Sequence, residues 1–214
     1  MNLNDQFLRL ALNGSEWVLW LLVAISVGTA AVMVERWITY RGVSRRESQM
    51  AEVVAGGGNY RWDVIRKTAG KLDAPGARLL GRVLRARSER ADNLELILES
   101  ANTAEKVKLE RNLGFLGTVG ANAPFIGLLG TVLEILRVFN LLGEQGVTSA
   151  ADTSSIMTGI SEALVATGVG LLVAIPATVA YNAYLKRVGG LLSQARETAA
   201  AGLEFSGLED GAEC

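Results

Sequence analysis

Two threonine–glutamate pairs are the residues of this chain best placed to do chemistry: Thr131 with Glu134, and Thr167 with Glu162. Each pair sits near the end of a long uncharged run. A hydroxyl donates and accepts hydrogen bonds, and a carboxylate titrates, so such a pair at a membrane edge can hold or pass a proton. Thr131 comes three residues before Glu134, and Thr167 five residues after Glu162. At about 1.5 Å rise per helical residue, each threonine lies roughly 5–8 Å deeper than its glutamate. The two helices run in opposite directions, so both pairs belong to the same leaflet. Plainer accounts stand beside this one. Each threonine can bond back to its own i−4 carbonyl. Glu134 has Arg137 three residues on and can form an ordinary intrahelical ion pair. Glu162 has no basic residue within four positions, and is either an acid facing protein or one exposed at the interface.

Three apolar stretches must position these residues. Trp17–Val34 is uncharged for eighteen residues and carries tryptophans at its outer end, where indoles favour the lipid–water interface. Leu113–Leu133 is uncharged for twenty-one residues, and Ala163–Leu185 is uncharged up to Lys186 and Arg187. About twenty apolar residues span a bilayer. The expectation is an all-α polytopic membrane protein with three transmembrane helices at 17–39, 113–142 and 156–185. The leader before Trp17 lacks a basic cluster and the apolar run is long for a cleaved signal, so the first span is read as retained. The second span is unusually rich in glycine, with Pro124 inside it, and lipid alone does not call for that; close neighbouring helices do. Ala123, Gly127 and Thr131 repeat at i+4, with Gly120, Gly130 and Glu134 near that face. On the third span Ala163 and Thr167 repeat likewise, beside Gly170 and Ala174, with Pro176 further in.

Composition removes whole classes of function. The 214 residues include no histidine and a single cysteine, Cys214, and carry a formal net charge of −1. Histidine-ligated metals, Ser-His-Asp or Cys-His catalysis, intrachain disulfides and cysteine metal clusters are therefore excluded. The GLLGTV run is not a phosphate loop, because no GK[ST] follows. Without a nucleophile–base set, an enzyme is not expected, nor is a cofactor, and the charge balance gives no sign of nucleic-acid binding.

Residues 40–112 are water-facing in character, broken by glycines and Pro75 into short helices. One begins near Asp92 with Glu95 in a capping-box position. With no glycine or proline before Leu113, it is expected to run straight into the second span. Basic residues set the orientation. Residues 41–111 hold fifteen Lys or Arg against ten Asp or Glu, while the loop 143–155 holds no basic residue. The positive-inside rule then places segment 40–112 and tail 186–214 in the cytoplasm, with residues 1–16 and the loop 143–155 in the periplasm. Glu35 and Arg36 read as interface anchors of the first span. The tail, including GLEDGAEC, reads as disordered.

The motifs Ala123-Pro124, Gly127-Leu128-Leu129-Gly130-Thr131-Val132, Gly159-Ile160-Ser161-Glu162-Ala163-Leu164-Val165-Ala166-Thr167 and Val173-Ala174-Ile175-Pro176-Ala177 resemble the MotA/TolQ/ExbB proton-channel family. The resemblance implies an inner-membrane stator subunit that converts proton-motive force into envelope transport or movement. It implies a homopentamer around a central pore lined by the second and third helices. It also implies an ExbD/TolR-like single-span partner supplying an intramembrane Asp, and an envelope-spanning protein of TonB type. Thr131 and Thr167 match the family's pore threonines, Glu162 its third-helix acid, and Pro124 and Pro176 its helix-shaping prolines. Glu134 departs from the pattern, which usually has glycine there. The alternatives are a gliding or flagellar-type motility stator, or a non-conducting scaffold assembled through small-residue faces.

Overall fold

The computed structural model describes residues 16–56, 62–89, 93–145 and 150–210, and within them all regular structure is helical. The described residues form six helices: α1 Glu16–Ala55, α2 Trp62–Lys71, α3 Pro75–Ser88, α4 Leu94–Leu109, α5 Leu113–Gln145 and α6 Ala150–Asp210. Three of them, α1, α5 and α6, are long and apolar enough to cross a membrane. The protein is thus an all-helical membrane protein. Its most apolar stretches are mostly uncovered, with Phe125, Leu172, Ile175 and Val179 all above 60% exposed. In water such a surface would be a liability; against lipid or another membrane helix it is the expected one.

The chain divides into two compact units. The first takes in residues up to Met33 with Asn112–Asn182. Its core joins Val18 and Leu22 of α1, Val119, Ala123 and Leu133 of α5, and Val173, Ala174 and Ala177 of α6. Most of these side chains are small or β-branched, which lets helix backbones approach. Pro124 and Pro176 both lie inside helices that continue through them.

The second unit takes in Val34–Arg111 and the chain from Ala183 on. Here α3 packs on α2 and α4. The core of this unit gathers Met50, Ile65, Leu79, Leu80, Val83, Leu98 and Ala195. Pro75 opens α3 at its first turn, where its missing N–H costs nothing.

Four expectations need correction. The α4 helix does not run on into the second span: it ends at Leu109, and Asn112 takes a left-handed φ of 64°. Asparagine is among the few residues that tolerate that conformation. The Tyr40 hydroxyl donates to the Leu109 carbonyl at 2.8 Å, satisfying an acceptor that the broken helix leaves open. Glu95 does not cap: Asn93 holds the cap position with no side-chain bond, and the Glu95 carboxylate accepts from Arg196 at 2.6 Å instead. Asp92 lies outside the described residues. The segment after Lys186 is not disordered as far as Asp210, because α6 buries Val188, Leu191, Ala195 and Ala199 along one stripe. Finally, α5 reaches Gln145 and α6 begins at Ala150, so the helices take up most of the 143–155 loop. Residues 1–15 and 211–214, with Cys214, lie outside the described residues.

Candidate functional site

Glycine sets the geometry between α5 and α6. A Cβ on Gly127 would stand 2.8 Å from the Ala166 carbonyl oxygen and 3.1 Å from the Thr167 Cα. One on Gly170 would stand 2.7 Å from the Ala123 carbonyl oxygen, and one on Gly130 2.8 Å from the Ala166 Cβ. No side chain fits in these places without moving backbone. Of the residues expected to form a thin-walled face, Ala123, Gly127, Gly130 and Gly170 are buried in this contact, Pro124 is half-buried, and Pro176 is exposed.

The same contacts fix the register of the threonines. Gly120 lies against the backbone of Thr178. Eleven residues on from Gly120 is Thr131, and eleven back from Thr178 is Thr167. The two therefore lie within a turn of each other along the antiparallel pair. Their hydroxyls are in different states. Thr131 is buried and donates to the Leu128 carbonyl, three residues back, at 2.6 Å. The Thr167 hydroxyl is buried with no hydrogen-bond partner among the described residues. A buried hydroxyl without a partner costs about 1–3 kcal/mol, so Thr167 is the polar atom of this contact left to be satisfied by something else.

The two acids separate. Glu134 is only 2% exposed, close to Gly159 of α6, and Arg137 donates to its carboxylate at 3.1 Å. The intrahelical ion pair is formed. Glu162 lies on the exposed face of α6, and among the described residues no ion pair involves it. The structure thus brings Thr131 and Thr167 to one level, engages Glu134 with Arg137, and turns Glu162 away from the chain's own core.

The family description "MotA/TolQ/ExbB proton channel family" matches residues 71–197, more than half of the chain. The chain belongs to this family. Over 107 residues it is 43% identical to the Biopolymer transport protein ExbB of Aquifex aeolicus, covering 50% of this chain and 67% of that one. Over 82 residues it is 49% identical to the Putative biopolymer transport protein ExbB-like 2 of Helicobacter pylori, covering 38% of this chain and 53% of that one. Over 97 residues it is 41% identical to the Biopolymer transport protein ExbB of Xanthomonas campestris, covering 45% and 37%. The chain therefore spans only part of the length of these relatives. The family match takes in α3, α4, α5 and α6 through Glu197, so every residue of the α5–α6 contact lies inside it.

Outside that contact, the expected anchors behave unequally. Glu35 is exposed, but Arg36 is 6% exposed and donates to the Glu35 carboxylate, while its buried Nε has no hydrogen-bond partner among the described residues. The exposed basic partner of this segment is Arg41, whose guanidinium stacks 3.9 Å from the centroid of Trp37.

Two buried acids of the second unit, Glu47 and Glu105, were not singled out as sites in the sequence, although the periodicity of α4 admits Glu105 on its apolar stripe. Glu47 is fully buried on the α1 stripe Tyr40, Val43, Glu47, Met50 and Val54. It accepts the Gly76 N–H at the start of α3 at 2.8 Å, while its other oxygen has no hydrogen-bond partner among the described residues. Burial pushes its carboxyl above the ordinary value, and the Gly76 N–H, the nearby Thr198 hydroxyl and the Arg78 charge offset only part of that. Glu105 is 1% exposed and accepts from Arg78 at 2.7 and 2.9 Å and from Lys108 at 2.8 Å. Burial pushes this carboxyl up too, but the two cations outweigh it and hold it below the ordinary value. The available signal was an acid at a core position of an apolar stripe in each helix.

Proposed function

We propose that this chain is the proton-channel subunit of an inner-membrane complex that couples proton-motive force to envelope transport or movement. In this reading several copies, five by family resemblance, set their α5 and α6 helices around a central pore. A single-span partner of ExbD/TolR type inside it supplies the aspartate that takes up and releases the proton. The basic segment 40–112 and the chain after Lys186 face the cytoplasm, and the loop between α5 and α6 faces the periplasm, as the distribution of basic residues favours. The Aquifex and Xanthomonas relatives named for biopolymer transport support an energised transport role over a flagellar one.

The observation that carries the reading is the buried, unpartnered Thr167 hydroxyl at the level of Thr131. A hydroxyl without an intrachain partner is available to a carboxyl group or a water arriving from a partner helix, which is what proton transfer past this level needs. Thr131, already bonded to Leu128, would serve as a relay only by rotating its hydroxyl. Thr167→Val keeps the volume and removes the hydroxyl. Proton flux into liposomes carrying the chain with its partner is expected to fall about tenfold, one hydrogen bond to a charged group being worth about 1.5–3 kcal/mol. Thr131→Val should lower it less. Full flux in the double variant would remove the hydroxyls from the mechanism. Absence of flux in the unaltered complex, with assembly intact, would favour the scaffold reading.

A further inference from the structure

A groove of about 480 Å³ opens where the uncharged stretch of α6 ends, lined by Ser44 of α1 and by Lys186, Arg187, Gly190 and Gln194 of α6. No acidic residue lines it. Among the described residues neither Lys186 nor Arg187 takes part in an ion pair, although both are exposed. Arg187 is nevertheless held in place: it donates to the Ser44 hydroxyl at 3.1 Å, which leaves the rest of its planar fork open to the groove. One turn back, the rings of Tyr40 and Tyr184 meet at 5.4 Å between centroids and pin α1 against α6. Gly190 has nothing within 4 Å of a Cβ placed on it, so the floor is open. Elsewhere in the second unit Arg46, Arg78, Lys108 and Arg196 meet carboxylates, so the groove is set apart by two cations side by side with a serine holding one of them.

Two unneutralised cations, one oriented by a serine, with a neutral amide donor and acceptor beside them, match the oxygens of a phosphate ester. We propose that this groove binds the phosphate headgroup of an anionic phospholipid. The inference rests on reading Leu185 as the end of a span, which puts the groove at headgroup depth. Basic pockets between membrane helices at this depth recruit acidic lipids.

The test uses the full-length protein in nanodiscs of phosphatidylcholine with phosphatidylglycerol, and native mass spectrometry to count retained lipids. The unaltered protein is expected to retain phosphatidylglycerol in preference. Lys186→Gln and Arg187→Gln should each lower that preference about fivefold, and the pair together more, since each basic residue at a membrane surface contributes about 1 kcal/mol. Ser44→Ala changes no charge and should still lower it about twofold, by releasing the Arg187 fork, one neutral hydrogen bond being worth about 0.5–1.5 kcal/mol. Arg82→Gln with Arg85→Gln removes the same charge from exposed positions outside the groove and should change nothing. An equal fall in that control, or an unchanged preference in the Lys186/Arg187 double variant, overturns the site. Displacement of phosphatidylglycerol by millimolar inorganic phosphate overturns the lipid assignment in favour of a soluble anion. Labelling of Gly190→Cys, in a Cys214→Ser background, with a membrane-impermeant thiol reagent tests the placement separately. If position 190 resists the reagent from both sides, it is the span reading that fails.

Discussion

Among the described residues, Thr167 in the first unit and Glu47 in the second each bury an oxygen with no hydrogen-bond partner, yet the surroundings of the two differ in kind. Thr167 lies where two backbones touch through glycine, among exposed apolar faces that nothing in the single chain covers. Glu47 lies inside a finished core, between Met50, Thr198 and the first turn of α3. The first site is incomplete and the second is closed. A neutral hydroxyl with no partner among the described residues suits the surface that the proposed assembly would cover. A buried acid tied to a helix N-terminus suits a unit whose stability rests on its own polar network. The contrast fits the proposed transfer role of the first unit and sets proton-linked stability in the second.

The largest effect that would break the contrast lies in the network around Glu105. Arg78→Met removes two of its hydrogen bonds and leaves a buried carboxylate with Lys108 alone. Breaking a buried pair from one side costs about 3–5 kcal/mol, and because Arg78 is itself partly exposed the lower end is expected. The measurement is urea unfolding in detergent, followed through hydrogen exchange of α3 and α4. Adding Glu105→Leu should return much of the loss, because an apolar pair often replaces a buried ion pair at little cost. If Arg78→Met alone is neutral, the second unit does not depend on this network.

A second change sharpens the other side. Gly127→Val puts a branched side chain where a bare Cβ already stands 2.8 Å from the Ala166 carbonyl oxygen. Overpacking costs about 1–3 kcal/mol. The expected outcome is a lower midpoint for thermal loss of the assembled complex, with hydrogen exchange of α3 unchanged. Equal loss of protection in α3 would mean that the two units do not respond separately.

Much of this was legible in the sequence, and what was not has a common cause. Three spans, their small-residue faces and the shared level of Thr131 and Thr167 follow from hydropathy and residue spacing, which depend on local periodicity alone. The break at Asn112 was missed because nothing in Lys108-Leu109-Glu110-Arg111-Asn112 opposes a helix. The carbonyl freed at Leu109 is satisfied by a hydroxyl sixty-nine residues from it, on Tyr40, which no local pattern reveals. The helical stretch after Lys186 was missed because alanines such as Ala195 and Ala199 are weak signals in isolation and become core only in the cluster with Leu80 and Met50. Glu134 was legible as either of two things, and only its burial beside Gly159 and its bond to Arg137 separate them.

The smallest effect at neutral pH, and the most discriminating, belongs to Glu47→Gln. The amide keeps an acceptor for the Gly76 N–H and cannot ionise. In the unaltered protein the folded state holds the Glu47 proton more firmly than the unfolded chain does. Its contribution is therefore fully present below the ordinary carboxylate value and is lost as pH rises through the raised folded value. Glu105 runs the other way: its contribution is present above the ordinary value and is lost as pH falls toward its lowered one. Arg78 links the two, facing Glu105 directly and acting on Glu47 through its charge. The unaltered second unit should thus lose stability on both sides of the ordinary carboxylate value, and Glu47→Gln should flatten the alkaline side alone. Hydrogen exchange of the Gly76 amide between pH 4 and 8, corrected for intrinsic rates, reads this directly. An alkaline decline that survives in Glu47→Gln would place the titrating group elsewhere, and the closed site in the second unit would then be a structural cap with no linkage to protons.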